Sequence, residues 1–413
     1  MKVLIVIIGS RGDLQPFISL SEELRARGYS IRICTMGDFR EAVIERGFEF
    51  YPIPGDARKV MELLIGNDIT PLKYFSNLEQ MIMPIFDKFM LDLEEACLGV
   101  DLILYSTLGS IVYHLAELYK IRCFRCFFAP LDPTSEFPAM TAPILPLGRV
   151  YNRLTYFGGD LLWTHVTRRI LNDWRVKSGL NRITSFNFPY RSLNGHAINT
   201  LYAFSSFLVP KPHDYKEHHF ITGFWNKQIE TTWQPSVELE EFLNAGSKPI
   251  YIGFGSTVNE NSEKLIEIII ESILLTDQRA VVSSGWRNMG KKEMPSSIYM
   301  IDDVPHSWLF PRTCAVSHHG GAGTTAAGVL SGVPSIIVPF GGDQLFWGNR
   351  VHDLGLGTKP ILASQLTVKN FSEAIMLATN NQRMSETAKV YSNKLQSENG
   401  VEKAANIIDE YIG

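Results

Sequence analysis

The apolar pattern opens with an unbroken run, Val3–Ile8, followed by the polar turn "GSRGD", Gly9–Asp13. An amphipathic stretch then leads to Arg27-Gly28, and a second apolar run follows in "SIRICTM". Strand, helix and strand in that order predict a βαβ unit, hence a parallel sheet with helices on both faces. Gly28 suits the residue just past a helix end, with Arg25 and Arg27 complementing the helix dipole. The same grammar restarts at "KPIYIGFGST", Lys248–Thr257. Further strands are predicted in "RAVVSSGW", "IYMIDDVP", "TCAVSHHG" and "SIIVPFGG", with helical stretches between most of them. The chain therefore reads as α/β, in two doubly wound halves.

A mixed stretch around residues 218–238, carrying Pro235, reads as the linker. The expected division is 1–215 for the first domain and 216–394 for the second. An amphipathic segment over about 395–413 is expected to pack back on the first. Between the clear sheets, Leu78, Ile82, Phe86, Phe89 and Leu93 recur at helical spacing, and Pro84 should kink that helix. A core-facing stripe is the favoured reading; a face bordering an apolar ligand or a membrane is the alternative. The stretch Ala129–Gly148 is rich in proline and aliphatics and poor in charge, too irregular for a strand. Loops of that length are often functional.

At 413 residues two domains of roughly 200 residues each are the natural division. A formal net charge of −4 leaves no electrostatic footprint for nucleic acid. Five cysteines, an odd number, point to a reduced intracellular protein rather than a disulfide scaffold. Cys123 and Cys126 form a lone CxxC inside a predicted strand, so buried thiols are expected and not a zinc site. The first apolar run lacks a cleavage site and reads as a strand, not a signal peptide. No uncharged run is long enough to span a bilayer.

The chemistry concentrates in "SHHGGAGTTAAGVLSGVPSIIVPFGGDQ", Ser317–Gln344. Open α/β sheets bind ligands beyond the carboxyl ends of their strands. Here a strand end supplies His318 and His319, and a glycine turn enters a helix. Exposed N–H groups and the helix dipole at such a turn favour an anion, most often a phosphate. Three sites compete. "GAGTTA" formally satisfies G-x-G-x-x-A, with Asp343 about 20 residues on as a ribose-binding acid. That dinucleotide reading leaves both histidines without a role, and the fingerprint lies late in its half. "GWRNMGKK", Gly285–Lys292, nearly matches a P-loop but lacks the closing Ser/Thr and is rejected. The third site is one for a nucleotide sugar, with the diphosphate on the turn and with Asp343 and Gln344 facing sugar hydroxyls.

The segment Asp302–Gly357 resembles the donor-binding signature of inverting glycosyltransferases with the GT-B fold. It is most similar to the sterol, glycolipid and natural-product glucosyltransferases. "GSRGD" and "FITGFW" near Phe220 fit that group too, while residues 51–200 fit it far less. The resemblance implies two Rossmann-like domains facing a cleft, with no metal and no cofactor. It implies UDP-glucose as donor, with TDP-sugars as the alternative. The acceptor it implies is lipophilic: a sterol, a glycolipid precursor or a polyketide-like aglycone. It also implies a cytoplasmic protein, peripheral at the membrane. Asp13 is then the general base, although an Asp at that turn is ordinarily a helix N-cap; His114 is a guess for its partner. By the motif's register His318 meets the diphosphate, with His319 the lesser candidate, since adjacent strand residues face opposite ways. Gly321, Ala322, Gly323 and Thr324 form the phosphate turn, with Gly12, Ser256 and Thr257 as further donor contacts. Trp286 and the segment from Val304 to His306 are placed at the base. Asp343 and Gln344 read the sugar, where capping of the following helix is the plain alternative.

Overall fold

The computed structural model describes residues 1–64, 71–183, 189–226, 233–255, 262–283, 294–302 and 304–412. The first half carries strands β1 (Lys2–Val6), β2 (Ser30–Met36), β3 (Glu49–Ile53), β4 (Leu102–Tyr105) and β5 (Arg122–Phe127). A short antiparallel hairpin of β6 (Ser192–Leu193) and β7 (His196–Ala197) precedes β8 (Asn199–Tyr202) and β9 (His219–Ile221). The second half carries β10 (Ile250–Gly253), β11 (Ala280–Ser283), β12 (Ile298–Ile301), β13 (Ala315–His318) and β14 (Ser335–Ile337).

The first sheet runs β3-β2-β1-β4-β5-β8-β9 and the second β12-β11-β10-β13-β14. Every pairing in both is parallel. Strand β1 shows why its run is apolar throughout. Leu4 and Val6 enter one core while Val3 and Ile5 enter the core on the opposite face. A parallel sheet covered on both sides needs that double burial. In each sheet the strand order reverses beside the first strand, between β1 and β4 and between β10 and β13. Ligands of such sheets bind at these reversals, beyond the carboxyl ends.

The domain boundary falls later than expected. Strand β9 lies inside the stretch read as a linker, pairs with β8 and completes the first sheet. Trp225 packs into the same half, edge-on to Phe17. The boundary at 215/216 is therefore corrected to beyond residue 225. The last helix, Gly400–Ile412, packs on the first helix, Arg11–Ala26, and gives Val401, Ala404, Ala405, Ile407 and Ile408 to the first sheet's core. Arg27 and Tyr29 both bond to Asp409, and Lys403 donates to the Ile221 carbonyl.

Pro84 breaks the expected kinked helix into two, Pro71–Ile82 and Phe86–Cys97, joined by a 3-10 turn. Leu78, Phe89 and Leu93 face the core, with Ile82 and Phe86 at its edge. Cys123 and Cys126 are buried and free, and burial pushes the Cys123 thiol up to about 12. Among the described residues no helix is long and apolar enough to cross a membrane. A further apolar cluster bridges the halves, joining Tyr202, Phe204 and Leu208 to Ile337, Trp347 and Val351.

Candidate active site

Strand β13 ends at His318, and the two histidines sit in different surroundings. His318 is fully buried. Its Nδ1 accepts the Gly320 N–H at 3.1 Å. Its Nε2 has no partner and faces the helix Ala322–Ser331, where a Cβ on Gly328 would lie 3.6 Å away. The ring thus lies between strand β13 and that helix. Burial holds its pKa well below that of free histidine. His319 points the other way. Its half-buried ring sits between two loop glycines, with Cε1 3.6 Å from a Cβ built on Gly255 and Nε2 2.6 Å from one built on Gly321. Gly255 follows β10, so the ring lies at the strand-order reversal. Burial and the neighbouring His306 push its pKa down to about 4. It is neutral at pH 7 and keeps one N–H to donate.

Gly320 holds the turn together. It adopts φ +93°, and a Cβ there would meet Ile337 Cγ2 at 2.6 Å and the Gln344 carbonyl at 2.9 Å. Only glycine fits both demands. Gly321 is the N-cap of the helix Ala322–Ser331 and offers no side-chain cap. The first helical bond is made by the Thr325 N–H to the Gly321 carbonyl at 2.9 Å. The N–H groups of Ala322, Gly323 and Thr324 come before it and have no intrahelical acceptor. Gly323 is exposed, with open space where a side chain would be, and Thr324 is half-buried beside it. Three N–H groups, the positive end of a helix dipole and a neutral imidazole form a cradle suited to an anion.

Asp343 occupies the N-cap position of the helix Gln344–Asp353 but makes no capping bond. Its Oδ2 instead accepts the Trp347 indole N–H at 3.0 Å. Burial, and then the charge of Asp13, raise its pKa to about 6. Gln344 is buried, and its Oε1 accepts the N–H groups of Phe340 at 2.7 Å and Gly341 at 3.2 Å. The side-chain carbonyl therefore shapes the loop, and only the amide NH₂ is left for a ligand.

Asp13 comes from the other half. Ser10, not Asp13, is the N-cap of the first helix, and Asp13 is its capping-box partner three residues on. Its Oδ2 accepts the Ser10 N–H at 2.7 Å and the Ser10 hydroxyl at 2.8 Å. Its Oδ1 takes no hydrogen bond from another described residue. Gly9, at φ +152°, makes room, since a Cβ there would touch Oδ2 at 2.4 Å. Burial raises the Asp13 pKa against the lowering effect of the Ser10 bonds. Its charge is felt by Asp343 and also by Tyr74, whose hydroxyl is pushed up to about 12 by burial first and by Asp13 second. Asp13, Tyr74 and Asp343 thus share one electrostatic neighbourhood between the halves.

Gly12 is exposed and donates its N–H to the Ser10 hydroxyl at 3.2 Å. Val304 is half-buried against the cluster of Leu239, Tyr251 and Ile301. Next to it, His306 stacks on Phe310 at 4.3 Å, with its Nε2 3.3 Å from the Tyr251 hydroxyl. Ser256, Thr257, Trp286 and the near-P-loop at 285–292 lie outside the described residues. His114 is spent elsewhere. It is fully buried, its Nδ1 accepts from Arg175 at 2.7 Å, and its Nε2 meets the Tyr190 hydroxyl at 3.0 Å. Sequence reasoning missed Tyr74, which carries no motif, and Trp347, whose four-residue spacing from Asp343 is the one signal that links them.

Both halves of the chain resemble known proteins. Residues 3–138 match the model of the glycosyltransferase family 28 N-terminal domain. Residues 267–409 match the C-terminal domain of erythromycin biosynthesis protein CIII-like proteins. A sterol 3-beta-glucosyltransferase of Arabidopsis thaliana is 33% identical over 100% of this chain and 68% of its own length. The sterol 3-beta-glucosyltransferase of Glomerella lagenarium is 34% identical over 99% of this chain. The chain spans only 28% of that fungal relative. Among solved structures, the calicheamicin glycosyltransferase CalG4 superposes with a TM-score of 0.74 at 18% identity, covering 100% of this chain and 98% of its own. The fold is GT-B.

Proposed function

Because the chain belongs to the family of the sterol 3-beta-glucosyltransferases, we propose that it moves glucose from UDP-glucose to the hydroxyl of a lipophilic acceptor, a sterol foremost. The observation that carries this reading is the convergence of a base and an anion cradle from opposite halves. Asp13 approaches from the first sheet. His319, the glycine turn and Asp343 approach from the second, and the charge of Asp13 reaches Asp343.

In the proposed reaction the acceptor hydroxyl hydrogen-bonds to Asp13 Oδ1, the oxygen that the capping box leaves open. Its oxygen attacks the anomeric carbon from the face opposite the diphosphate. The new C–O bond forms as the bond to the phosphate oxygen breaks, the proton passes to Asp13, and the anomeric centre inverts. A carboxylate suffices because the proton moves only as the C–O bond forms. Negative charge develops on the leaving diphosphate, where the N–H groups of Ala322, Gly323 and Thr324 and the His319 imidazole can receive it. That donor set supports a reaction without a metal ion. Asp343 and the Gln344 amide NH₂ bind hexose hydroxyls, while Trp347 fixes the Asp343 carboxylate. The same interactions would serve a TDP-sugar.

Calorimetry with UDP, UDP-glucose, TDP-glucose and NAD tests the assignment. UDP-glucose should bind, and its binding should weaken strongly in Asp343→Ala, while UDP affinity changes little. A buried polar partner left unpaired is the reason for the selective loss. Tight NAD binding that disappears in Asp343→Ala would replace this reading with a dinucleotide site.

A further inference from the structure

One core of the first half is bordered by a row of half-buried apolar side chains. Ile8 follows β1 and Leu108 follows β4, on either side of the strand-order reversal. Tyr74 and Phe75 come from the helix Pro71–Ile82, in the crossover from β3 to β4, and Trp163 comes from the helix Gly148–Lys177. All five pack against the same core. The three rings follow one another edge-on, Tyr74 to Phe75 at 5.3 Å between centroids and Phe75 to Trp163 at 6.0 Å. Rings in that arrangement attract each other beyond their shared burial, so they form a firm apolar wall. The chain reaches Tyr74 from the carboxyl end of β3 and Asp13 from the carboxyl end of β1. In an all-parallel sheet those ends lie along one edge.

Packing accounts for most of the helix Pro71–Ile82. Phe75, Leu78 and Ile82 recur at i, i+3 and i+7 and hold it to the core. Tyr74 stands at the edge of that stripe, where a plain phenyl ring would pack as well. Its hydroxyl is the part that packing leaves over. It bonds to no other described residue. Burial, and then the charge of Asp13, push it up to about 12, so it is a neutral donor at pH 7. Asp13 offers the complement, because Ser10 engages Oδ2 and leaves Oδ1 open. Neither the Tyr74 hydroxyl nor Asp13 Oδ1 is sealed from solvent. A donor and an acceptor therefore stand unsatisfied in one neighbourhood, beside an apolar wall.

We propose that Tyr74 binds the acceptor: its hydroxyl donates to the oxygen of the acceptor alcohol, whose own proton goes to Asp13 Oδ1, while the apolar skeleton lies along Phe75 and Trp163. This rests on the reading of the chain as a transferase acting on an alcohol. The pair asks for a group that gives one hydrogen bond and takes another. An alcohol does both. An ammonium gives bonds and takes none, an ether or ketone takes them and gives none, and a thiol does either only weakly. With one lone pair held by Tyr74, the alcohol oxygen keeps its second for the anomeric carbon. The bond is made before the reaction and during it, so its loss belongs in the acceptor KM and not in kcat. Tyr74 is in this way a specificity residue for the hydroxyl, and Asp13 remains the base.

The test is Tyr74→Phe, which keeps the ring and removes only the oxygen, in initial-rate assays with UDP-glucose and detergent-dispersed cholesterol, ergosterol or sitosterol. The KM for the sterol should rise about 5- to 150-fold, the range for a buried polar atom left without its partner. The kcat, the KM for UDP-glucose and Tm should stay at the parent's values. The 3-thiol analogue of cholesterol supplies a readout that a purely structural role would not move. Its sulfur accepts hydrogen bonds weakly, so the preference for alcohol over thiol, as a ratio of kcat/KM values, should fall about fivefold or more in Tyr74→Phe. An unchanged sterol KM or an unchanged preference overturns the proposal. A fall in kcat at constant sterol KM also overturns it, and gives the hydroxyl to Asp13 instead of the acceptor. Equal rises in the KM values of sterol and UDP-glucose, or a lowered Tm, reduce Tyr74 to a packing residue. A parent that transfers glucose to none of these sterols overturns the reading of the reaction and the proposal with it, whereas an active parent with an unaltered variant overturns the proposal alone.

Discussion

Substituting His318 and His319 separately should have opposite consequences, although the residues are adjacent. In His318→Ala the Gly320 N–H loses its acceptor inside the protein, a cost of about 1–3 kcal/mol. The void, on the order of 60 Å3 at about 24 cal/mol per Å3, adds about 1.5 kcal/mol. Removing the unpartnered Nε2 offsets part of this, leaving a net loss of about 2–3 kcal/mol. At roughly 2–4 °C per kcal/mol for a domain of this size, Tm should fall by roughly 5–10 °C. In His319→Ala no bond to the protein is lost, because Nδ1 has no partner among the described residues. What goes is one donor to the leaving diphosphate, about 1.5–3 kcal/mol for a hydrogen bond to a charged group. That corresponds to about a 10- to 150-fold drop in kcat, with Tm nearly unchanged. Scanning calorimetry and initial rates of UDP release measure the two quantities. If His318→Ala were inactive at an unchanged Tm while His319→Ala turned over normally, the placement of the two rings would be refuted.

Asp13 has two jobs that two variants can separate. Asp13→Asn keeps an acceptor for Ser10 and should lose transfer by about 10²–10⁴-fold with little change in Tm; Asp13→Ala should lose the same activity and a further 0.5–2 kcal/mol or so of stability with its capping box. Transfer should persist in excess EDTA, and complete loss restored by Mg²⁺ or Mn²⁺ would sink the metal-independent mechanism. Asp343 gives a pH signature: with its folded pKa raised from 3.8 to about 6, the folded state holds the proton longer than the unfolded one. Stability from this group is therefore present below pH 3.8 and lost as pH rises through about 6. About two pKa units correspond to about 3 kcal/mol, so Asp343→Asn should be more stable than the parent at pH 7 by about 1–3 kcal/mol while using UDP-glucose poorly. His319, lowered from 6.5 to about 4, pulls the opposite way, its stability being lost as pH falls through that window. The comparison of variant with parent, by urea melts at pH 4 and pH 7, isolates Asp343.

The two sheets were legible because burial on both faces demands long apolar runs, and the runs at Val3–Ile8 and around Ile250 are unmistakable. Strand β9 was not, because its three residues, His219–Ile221, look like linker without the neighbour β8 that they pair with. The glycine turn was legible for a related reason. A backbone held by Ile337 and the Gln344 carbonyl leaves no room for a side chain at Gly320, and the sequence has to show it. Alternation along a strand does say that only one of two adjacent histidines can face the ligand. Which one depends on the layer that covers β13, and that layer is set by the helix packed over it at Gly328, ten residues further on. The electrostatic meeting of Asp13 with Asp343 is likewise invisible in sequence, since 330 positions separate them and nothing local marks the pair.

The return of the last helix to the first sheet puts the order of synthesis and the order of folding at odds. The first half is made first, yet its core lacks Val401, Ala404, Ala405, Ile407 and Ile408 until residues 400–412 have been added. Throughout synthesis of the second half, the first helix presents an uncovered apolar face, the kind of surface that chaperones hold and that aggregates recruit. Cutting the chain before residue 400 should therefore damage the half that carries Asp13, at the far end of the sequence from the cut, and leave the half that carries the glycine turn largely whole.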